Sequence, residues 1–271
     1  MKVAVITLAF CVTSLLALGL VMLYSSSMTQ VGAHYLVMQL IWCVAGFGFC
    51  AVAATMDYQF FKRPDVVWLL FALAALLLLL VYPFPHLPHL PERFIKKTNG
   101  AHRWFILPGG TRVQPSELAK LALIFVLAWY GDWFQRRMGT FKWGIVFPGA
   151  IIVVMLGLIF IEPDRGTTIL MCAVSGSMLL LAGVRWKFII PPIVLAVSGL
   201  VVSILHDPMR MRRIFSWLDL EQSKSGTGYQ AYQAMIALGS GGWFGLGLGN
   251  GRQKLGFVPE HHTDFIFSII G

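Results

Sequence analysis

Charged residues are scarce in this sequence. Only 12% of the 271 residues are Asp, Glu, Lys or Arg, whereas 57% are hydrophobic and the mean hydropathy is +0.74. Soluble domains carry about 25% charged residues, so the composition excludes an ordinary soluble globular protein. The apolar runs are continuous rather than alternating, which excludes the strands of a membrane β-barrel. The sequence therefore predicts an all-α, polytopic integral membrane helical bundle.

Cysteine is also rare, and every cysteine lies within an apolar run: Cys11, Cys43, Cys50 and Cys172. This placement argues against a disulfide framework and a zinc site, and it favours small apolar side chains buried in spans. Internal repeats are absent as well, which argues against a transporter built from paired halves. We therefore expect no structural disulfide and no metal site made by the cysteines.

Long apolar runs are abundant, and a membrane-spanning helix needs about 20 such residues. They occupy residues 3–24, 35–55, 66–83, 116–134, 143–161, 167–183 and 188–206, and a further run begins near Asp264. The first run is too long for a typical signal-peptide core and lacks a good cleavage site, so we expect a retained helix. The sequence predicts seven complete transmembrane helices and the start of an eighth, within a single domain over residues 1–271.

The cations are distributed unevenly over the connecting segments. If the N-terminus is cytoplasmic, Arg165 is the only cation in the short outer segments 25–34 and 162–166. The inner loops then hold Lys2, Lys62, Arg63, Arg136, Arg137, Lys142, Arg185 and Lys187. The positive-inside rule therefore predicts a cytoplasmic N-terminus. Two long outer segments, about 84–115 and 207–263, are also rich in cations, which favours an anionic ligand or anionic lipid headgroups at the outer face.

The stretch "QPSELAK" (114–120) predicts a helix start at the outer membrane boundary. Pro115 suits the first helical turn, where its missing N–H costs nothing. Glu117 and Lys120 then lie three residues apart on one helical face. Ionisable residues in a span usually face a cavity or one another. Two interpretations are open: a polar pair that lines a substrate groove, or a structural ion pair that holds helices together.

Further candidates lie in the other outer segments. Asp164, in "EPDRGTT", is either a helix N-cap or a functional carboxylate. Arg210 and Arg213, in "RMRRIFSW", share one helical face, which suits phosphate contact or a solvated basic surface. The stretch "GYQAYQAMIALGSGG" places Tyr229, Tyr232, Gln233 and Ile236 at helical spacing, and it predicts a short amphipathic helix at the interface.

The final stretch, "PEHHTDFIFSIIG", places Asp264 where a polar loop turns into an apolar run. On the residues alone, the favoured interpretation is a helix N-cap, formed by Asp264 or alternatively by Thr263.

Five stretches together resemble the SEDS family, the membrane glycosyltransferases FtsW, RodA and SpoVE that build bacterial peptidoglycan. The first four are "GLVMLYSSS" (19–27), "NGAHRW" (99–104), "QPSELAK" and "EPDRGTT". The fifth is "GTGYQAYQAMIALGSGGWFGLGLGNGRQKLGFVPEHHTDFIF" (226–267), which is highly specific. They follow the family order across nearly the whole chain, and "GLGNGRQKLGFVPE" resembles the FtsW branch more than RodA, which favours a role in cell division.

The resemblance implies polymerisation of lipid II at the outer face of the bacterial cytoplasmic membrane, with undecaprenyl diphosphate as the leaving group. Asp264, the aspartate of the family's "HTDFIF" motif, is implied to be the catalytic base for the attacking sugar hydroxyl. Arg103, Arg210 and Arg213, or a divalent cation such as Mg²⁺ or Mn²⁺, would neutralise the diphosphate. The other substrate-binding residues that we expect are Glu117, Lys120, Asp164, Lys254 and His262.

The same resemblance implies partners and leaves alternatives open. We expect a class B penicillin-binding transpeptidase (FtsI-like), other divisome proteins and no nucleic acid. The alternatives are a lipid II flippase, which needs no carboxylate base, an elongation-type (RodA-like) polymerase, and a divisome scaffold without activity. Members of the family continue past the helix that begins near Asp264, so we expect this sequence to be truncated at its C-terminus.

Overall fold

The computed structural model describes residues 2–27, 32–81, 103–106, 112–162, 164–226, 228–247, 250–251, 256–258 and 263–270. Two predicted site residues, Lys254 and His262, and most of the outer segment 84–115 lie outside these ranges. The chain packs as two compact units: a central unit, Met56–Gly199, and a terminal unit, Met1–Thr55 with Leu200–Gly271. A single domain over the whole chain stays a prediction.

Helices account for all of the predicted spans. They are α1 Lys2–Ser27, α2 His34–Thr55, α3 Pro64–Val81, α4 Pro115–Trp133, α5 Phe147–Ile161, α6 Arg165–Leu181 and α7 Trp186–Leu205. Among the described residues, five helical segments are long and apolar enough to cross a membrane: α1, α2, α3, α7, and α5 together with the π-helical turn Lys142–Val146 before it. α6 is a shorter apolar helix, and α4 carries Glu117, Lys120 and Asp132. The predicted all-α membrane bundle is confirmed.

The core of the central unit lies between α3, α4, α5 and α6. Fully buried apolar side chains from these helices form one cluster, which includes Leu78, Leu123, Met155, Ile159 and Met171. By contrast, α1, α2 and α7 expose most of their large apolar side chains, among them Phe10, Phe49 and Leu195. Exposed apolar surface on long helices is expected where lipid rather than water surrounds the protein.

A short strand pair positions the start of α4. Strands β1 (Phe105–Ile106) and β2 (Arg112–Val113) are antiparallel, with Phe105 opposite Val113 and Ile106 opposite Arg112. Arg103 precedes β1 and Gln114 follows β2, so this register brings both residues to the same end of the ladder. α4 then begins at Pro115, as the sequence predicts, because proline has no N–H to leave unsatisfied in the first turn.

The terminal unit contains the remaining described helices. α1 packs against α2 and against α10 (Ile266–Ile270), and α10 also packs against α9 (Tyr229–Gly241). α9 confirms the predicted short helix, and it ends at Gly242, whose φ of 60° is unfavourable for other residues. Its buried positions are Ala234 and Ala237, whereas Ile236 of the predicted stripe is exposed. α8 (Pro208–Leu218) carries the predicted arginine face.

Candidate functional site

The N-termini of α4 and α6 are joined by side-chain hydrogen bonds. Gln114, the residue before α4, donates from Nε2 to Oγ of Ser116 at 2.7 Å and to Oδ2 of Asp164 at 3.0 Å. Ser116 is completely buried. Because Gln114 and Asp164 are 50 residues apart in sequence, this contact fixes the two helix starts beside each other. The positive ends of two helix dipoles therefore lie at the same edge of the central unit.

Asp164 is the N-cap of α6. Its Oδ1 accepts a hydrogen bond from the backbone N–H of Thr167 at 3.2 Å, and its Oδ2 accepts one from the Thr167 hydroxyl at 3.0 Å. The Thr168 hydroxyl donates to the backbone oxygen of Asp164 at 2.8 Å. The N-cap interpretation of Asp164 is confirmed. A contact between Asp164 and a substrate stays a prediction.

Arg103 contacts the C-terminal end of α5. Its Nε donates a hydrogen bond to the backbone oxygen of Glu162, the C-cap of that helix, at 2.9 Å. A cation is favourable at a helix C-terminus, where the last carbonyl groups carry a partial negative charge. The structure thus brings two of the predicted substrate-binding residues, Arg103 and Asp164, to positions flanking Glu162.

The side chain of Glu162 was not among the predicted site residues, and it is the most unusual group in this region. Its exposed fraction is 2%, and neither carboxyl oxygen has a hydrogen-bond partner among the described residues. Burial and, to a smaller extent, repulsion from Asp164 raise the pKa of Glu162 to about 8, and Arg103 opposes this rise. At neutral pH the carboxyl is therefore mostly protonated and uncharged.

Glu117 and Lys120 form the ion pair that their spacing predicts. Lys120 Nζ lies 2.8 Å from Glu117 Oε2, and the side chains are 27% and 62% exposed, respectively. Because both residues belong to α4, their contact stabilises one helix and does not join two. The pair begins one turn after Gln114, at the N-terminal end of the same helix. Its role in lining a groove stays a prediction.

Three predicted residues of the terminal unit are described: Arg210 and Arg213 on α8, and Asp264 just before α10. Arg210 Nε pairs with Asp207 Oδ2 at 2.9 Å, and Asp207 also caps α8 by accepting from the backbone N–H of Met209 at 3.0 Å. Arg213 lies one turn further along α8 and is exposed. Asp264 is exposed in a turn in which the N–H of Ile266 donates to the backbone oxygen of Thr263 at 3.4 Å.

The described residues contain no group of three or more His, Cys, Asp or Glu side chains that could hold a metal ion. Asp164, at the start of α6, does not fit such a site, because both of its carboxyl oxygens already accept hydrogen bonds and the Arg103 charge lies close by. A divalent cation would have to draw most of its ligands from a substrate diphosphate and water.

Comparison with known proteins identifies the family. Residues 6–271 match the profile of the cell cycle proteins FtsW, RodA and SpoVE. A relative in Trichlorobacter lovleyi, named "Probable peptidoglycan glycosyltransferase FtsW", is 37% identical over 98% of this chain and 68% of its own length. A relative in Pseudomonas fluorescens with the same name is 36% identical over 95% of this chain and 62% of its own length. The chain thus spans about two thirds of the length of these curated relatives.

Solved structures show the same fold. A protein from a study of polymerization and crosslinking by a peptidoglycan synthase complex superposes with a TM-score of 0.70. It is 26% identical, and the match covers 97% of this chain and 68% of that chain. The rod shape determining protein RodA of Thermus thermophilus superposes with a TM-score of 0.56 over 73% of this chain and 58% of its own, at 22% identity, which supports the fold alone. The chain belongs to the SEDS family of FtsW, RodA and SpoVE.

Proposed function

We propose that the protein is a peptidoglycan glycosyltransferase that polymerises lipid II into glycan strands during cell division. One observation carries this proposal: relatives named as peptidoglycan glycosyltransferases FtsW align with 95–98% of this chain at 36–37% identity. The FtsW names favour division over elongation as the process served. The multi-pass helical bundle suits a substrate whose polyprenyl tail stays in lipid while its sugars are in water.

Asp264 is the general base of the proposed reaction. Its carboxylate takes the proton from the 4-hydroxyl of one lipid II molecule as that oxygen attacks the anomeric carbon of the growing chain. The bond from the anomeric carbon to the phosphate oxygen breaks, and undecaprenyl diphosphate leaves with its electron pair, so the anomeric centre is inverted. The exposed position of Asp264 before an apolar helix supports this role, because a general base must come within hydrogen-bond reach of a polar substrate.

Cationic side chains stabilise the leaving diphosphate in this proposal. Arg103, Arg210 and Arg213 are the assigned contacts, because fixed positive charges are most effective where negative charge develops. Arg103 is oriented by its hydrogen bond to α5, and Arg210 is oriented by Asp207. Glu117, Lys120, Asp164, Lys254 and His262 remain proposed substrate contacts. If the reaction requires a divalent cation, a chelator should abolish polymer formation. Added Mg²⁺ or Mn²⁺ should then restore it.

The protein is a multi-pass protein of the bacterial cytoplasmic membrane. We place the N-terminus in the cytoplasm and the active site at the outer face, on the distribution of Lys and Arg between loops. The proposed partner is a class B penicillin-binding transpeptidase, which crosslinks the new strands. The related chain from a synthase complex that coordinates polymerization and crosslinking supports such a partner. Contacts with other divisome proteins are part of the same proposal.

The decisive experiment replaces Asp264 with Asn in the full-length protein, purified with its transpeptidase partner and supplied with lipid II. Asn keeps the size of the side chain but cannot accept the proton, so we expect loss of glycan strands by at least about a hundredfold, as for other general bases. Polymer length and amount are read on gels. The matched control, Glu221→Gln, removes an exposed acidic charge elsewhere in the terminal unit and should leave polymerisation unchanged.

The same variant separates the polymerase from a flippase. Translocation of lipid II across a vesicle membrane needs no proton acceptor, so a flippase would keep its activity in Asp264→Asn. Normal strand formation by Asp264→Asn would refute the assignment of the base.

A further inference from the structure

Two connections of the central unit, from α4 to α5 and from α6 to α7, carry cations that the proposed reaction does not use. They are Arg136, Arg137 and Lys142 in the first connection, and Arg185 and Lys187 in the second. All five are exposed, and none of them forms an ion pair within the part of the chain that the structure describes. We call this set the five-cation surface. Clustered positive charge without a counter-charge favours an anionic ligand.

The two connections share one buried core. Met138 of the first connection and Val184 of the second belong to the same cluster of buried apolar side chains, which also contains Tyr130 of α4. The guanidinium of Arg185 lies beside Gly139, where an added Cβ would be 3.6 Å from Arg185 Nε. The cations of both connections therefore lie close together on one packed scaffold.

Aromatic rings position three of the five cations. The distances from the charged group to the ring centroid are 5.0 Å for Arg137 on Trp143, 5.6 Å for Lys142 on Phe147 and 5.0 Å for Lys187 on Phe188. Such a contact holds the charged group in place without neutralising it, because an aromatic ring has no net charge. The N–H groups that point away from a ring can still donate to a phosphate, which arginine binds through two parallel hydrogen bonds.

An open cavity of about 480 Å³ adjoins these cations. It is lined by Asp132, Trp133, Phe134, Gln135, Arg136 and Arg137. The carboxylate of Asp132 has a cation of its own, because its Oδ2 lies 3.9 Å from Lys62 Nζ. The two arginines therefore keep an excess of positive charge in the cavity, whose volume is in the range of sites that hold small molecules.

We propose that the five-cation surface binds the phosphate headgroup of an anionic phospholipid. Lys142 and Lys187 lie at the start of two helical segments that are apolar enough to cross a membrane, which places their charges at the membrane boundary. Basic pockets between transmembrane helices on the cytoplasmic side bind anionic lipid headgroups in other membrane proteins. With the proposed cytoplasmic N-terminus, the lipid belongs to the inner leaflet.

Exposed aromatic rings favour a lipid over an acidic protein segment. Trp133, Phe141 and Trp186 are exposed beside the five cations. Tryptophan is enriched at the level of the lipid headgroups, where its ring contacts both apolar chains and water. An acidic segment would match the charges but would not account for these rings at the membrane boundary. The inference uses neither Asp264 nor lipid II, so it does not rest on the proposed enzymatic function.

Native mass spectrometry of the full-length protein, purified without lipid II, tests the inference. The protein in detergent is titrated with phosphatidylglycerol or with phosphatidylethanolamine that has the same acyl chains, so that the headgroup is the variable. One cation beside an anionic lipid surface raises the affinity by about fivefold. We therefore expect the wild type to bind phosphatidylglycerol more tightly than phosphatidylethanolamine by at least about 25-fold, the effect of two such cations.

Two double variants locate the site. Arg137→Gln/Arg185→Gln removes one cation from each connection and should weaken phosphatidylglycerol binding by about 25-fold, with little change for phosphatidylethanolamine. Lys142→Gln/Lys187→Gln removes a different cation from each connection and should give a similar loss. Because the two variants share no residue, the location does not depend on one of them alone.

The matched control, Arg212→Gln/Lys224→Gln, removes two exposed cations of the terminal unit and should keep the wild-type preference. Equal binding of the two lipids by the wild type would overturn the inference without any variant, and would favour an acidic protein segment as the ligand. An unchanged preference in either double variant, shown to be folded by its Tm, would also overturn it. So would an equal loss in the control, because binding would then follow total charge rather than the five-cation surface.

Discussion

Glu162 has a consequence for stability that is separate from any substrate. The pKa of its carboxyl is about 8 in the folded protein and 4.5 in the absence of burial, so the folded state holds a proton between these values that the unfolded state releases. The contribution of Glu162 to the free energy of unfolding is therefore largest below about pH 4.5. It falls as the pH rises towards about 8 and is constant above that value.

We expect Glu162→Gln to remove this dependence, because glutamine does not titrate. The difference in unfolding free energy between Glu162→Gln and the wild type should grow from about pH 5 to about pH 8, by up to about 1.4 kcal/mol per pH unit. Thermal unfolding in detergent at several pH values measures it, with Glu221→Gln as the control. A difference that stays constant over this range would show that the Glu162 carboxyl is ionised throughout.

Two variants of Asp164 separate the effect of its N-cap hydrogen bonds from the effect of its negative charge. Asp164→Ala removes the acceptor for Thr167 and for Gln114, so it should destabilise the protein by about 1–2 kcal/mol. Asp164→Asn keeps an acceptor oxygen and should cost less than about 1 kcal/mol. Chemical unfolding in detergent measures both variants. Equal losses would contradict the N-cap role, whereas a normal stability of Asp164→Asn with weakened lipid II binding would support a substrate role for the charge.

For individual residues, the sequence predicted local structural roles better than contacts with distant residues. The helix start at Pro115, the cap at Asp164 and the pair of Glu117 with Lys120 depend on neighbours within four residues, so spacing was sufficient. The contact of Arg103 with Glu162 joins residues 59 apart, and local patterns do not encode it. An acidic residue at the end of a long apolar run was the one available signal for Glu162.

The connection from α4 to α5 is tightly packed. Tyr130 donates its hydroxyl to the backbone oxygen of Trp143 at 2.9 Å, and Met138 is fully buried. The π-helical turn Lys142–Val146 contains Gly144, where an added Cβ would overlap the backbone oxygen of Met138. This turn therefore requires glycine because of the close approach of two backbone segments.

We expect Gly144→Ala to destabilise the protein by about 1–3 kcal/mol, because a backbone oxygen cannot move aside as a flexible side chain can. Gly149→Ala is the matched control in α5, where an added Cβ meets nothing within 4 Å. It should be neutral or stabilising by up to about 1 kcal/mol. Tm values of both variants in the same detergent give the comparison, and a normal Tm for Gly144→Ala would contradict the tight packing of this turn.

Apolar run length predicted the helices α1–α7 because a helix in lipid must satisfy its own backbone hydrogen bonds over the whole membrane thickness. The strand pair β1–β2 was not predicted. Each of its strands contains two residues, and such a pair has no periodic pattern that could be recognised in sequence. The buried side of α9 was also missed, because small alanines rather than the larger tyrosines face its neighbours.

For the whole molecule, orientation in the membrane decides whether the proposed chemistry can occur. In the proposed reaction lipid II is polymerised outside the cytoplasm, which requires Asp264 and the arginines of α8 to face outward. The loop distribution of Lys and Arg predicts this arrangement, although the long outer segments 84–115 and 207–263 carry many cations themselves. Long loops contribute little to the positive-inside rule, so their charge agrees with an outer location.

Single-cysteine labelling tests this orientation directly. The background variant replaces each native cysteine with alanine, and none of the four is in a disulfide: Cys11, Cys43, Cys50 and Cys172. Gln222→Cys and Gln135→Cys then introduce exposed thiols in the outer segment 207–263 and in the loop after α4. In intact spheroplasts a membrane-impermeant maleimide should label Gln222→Cys, whereas Gln135→Cys should react only after lysis. The opposite pattern would place Asp264 in the cytoplasm, where it could not act on an externally presented sugar.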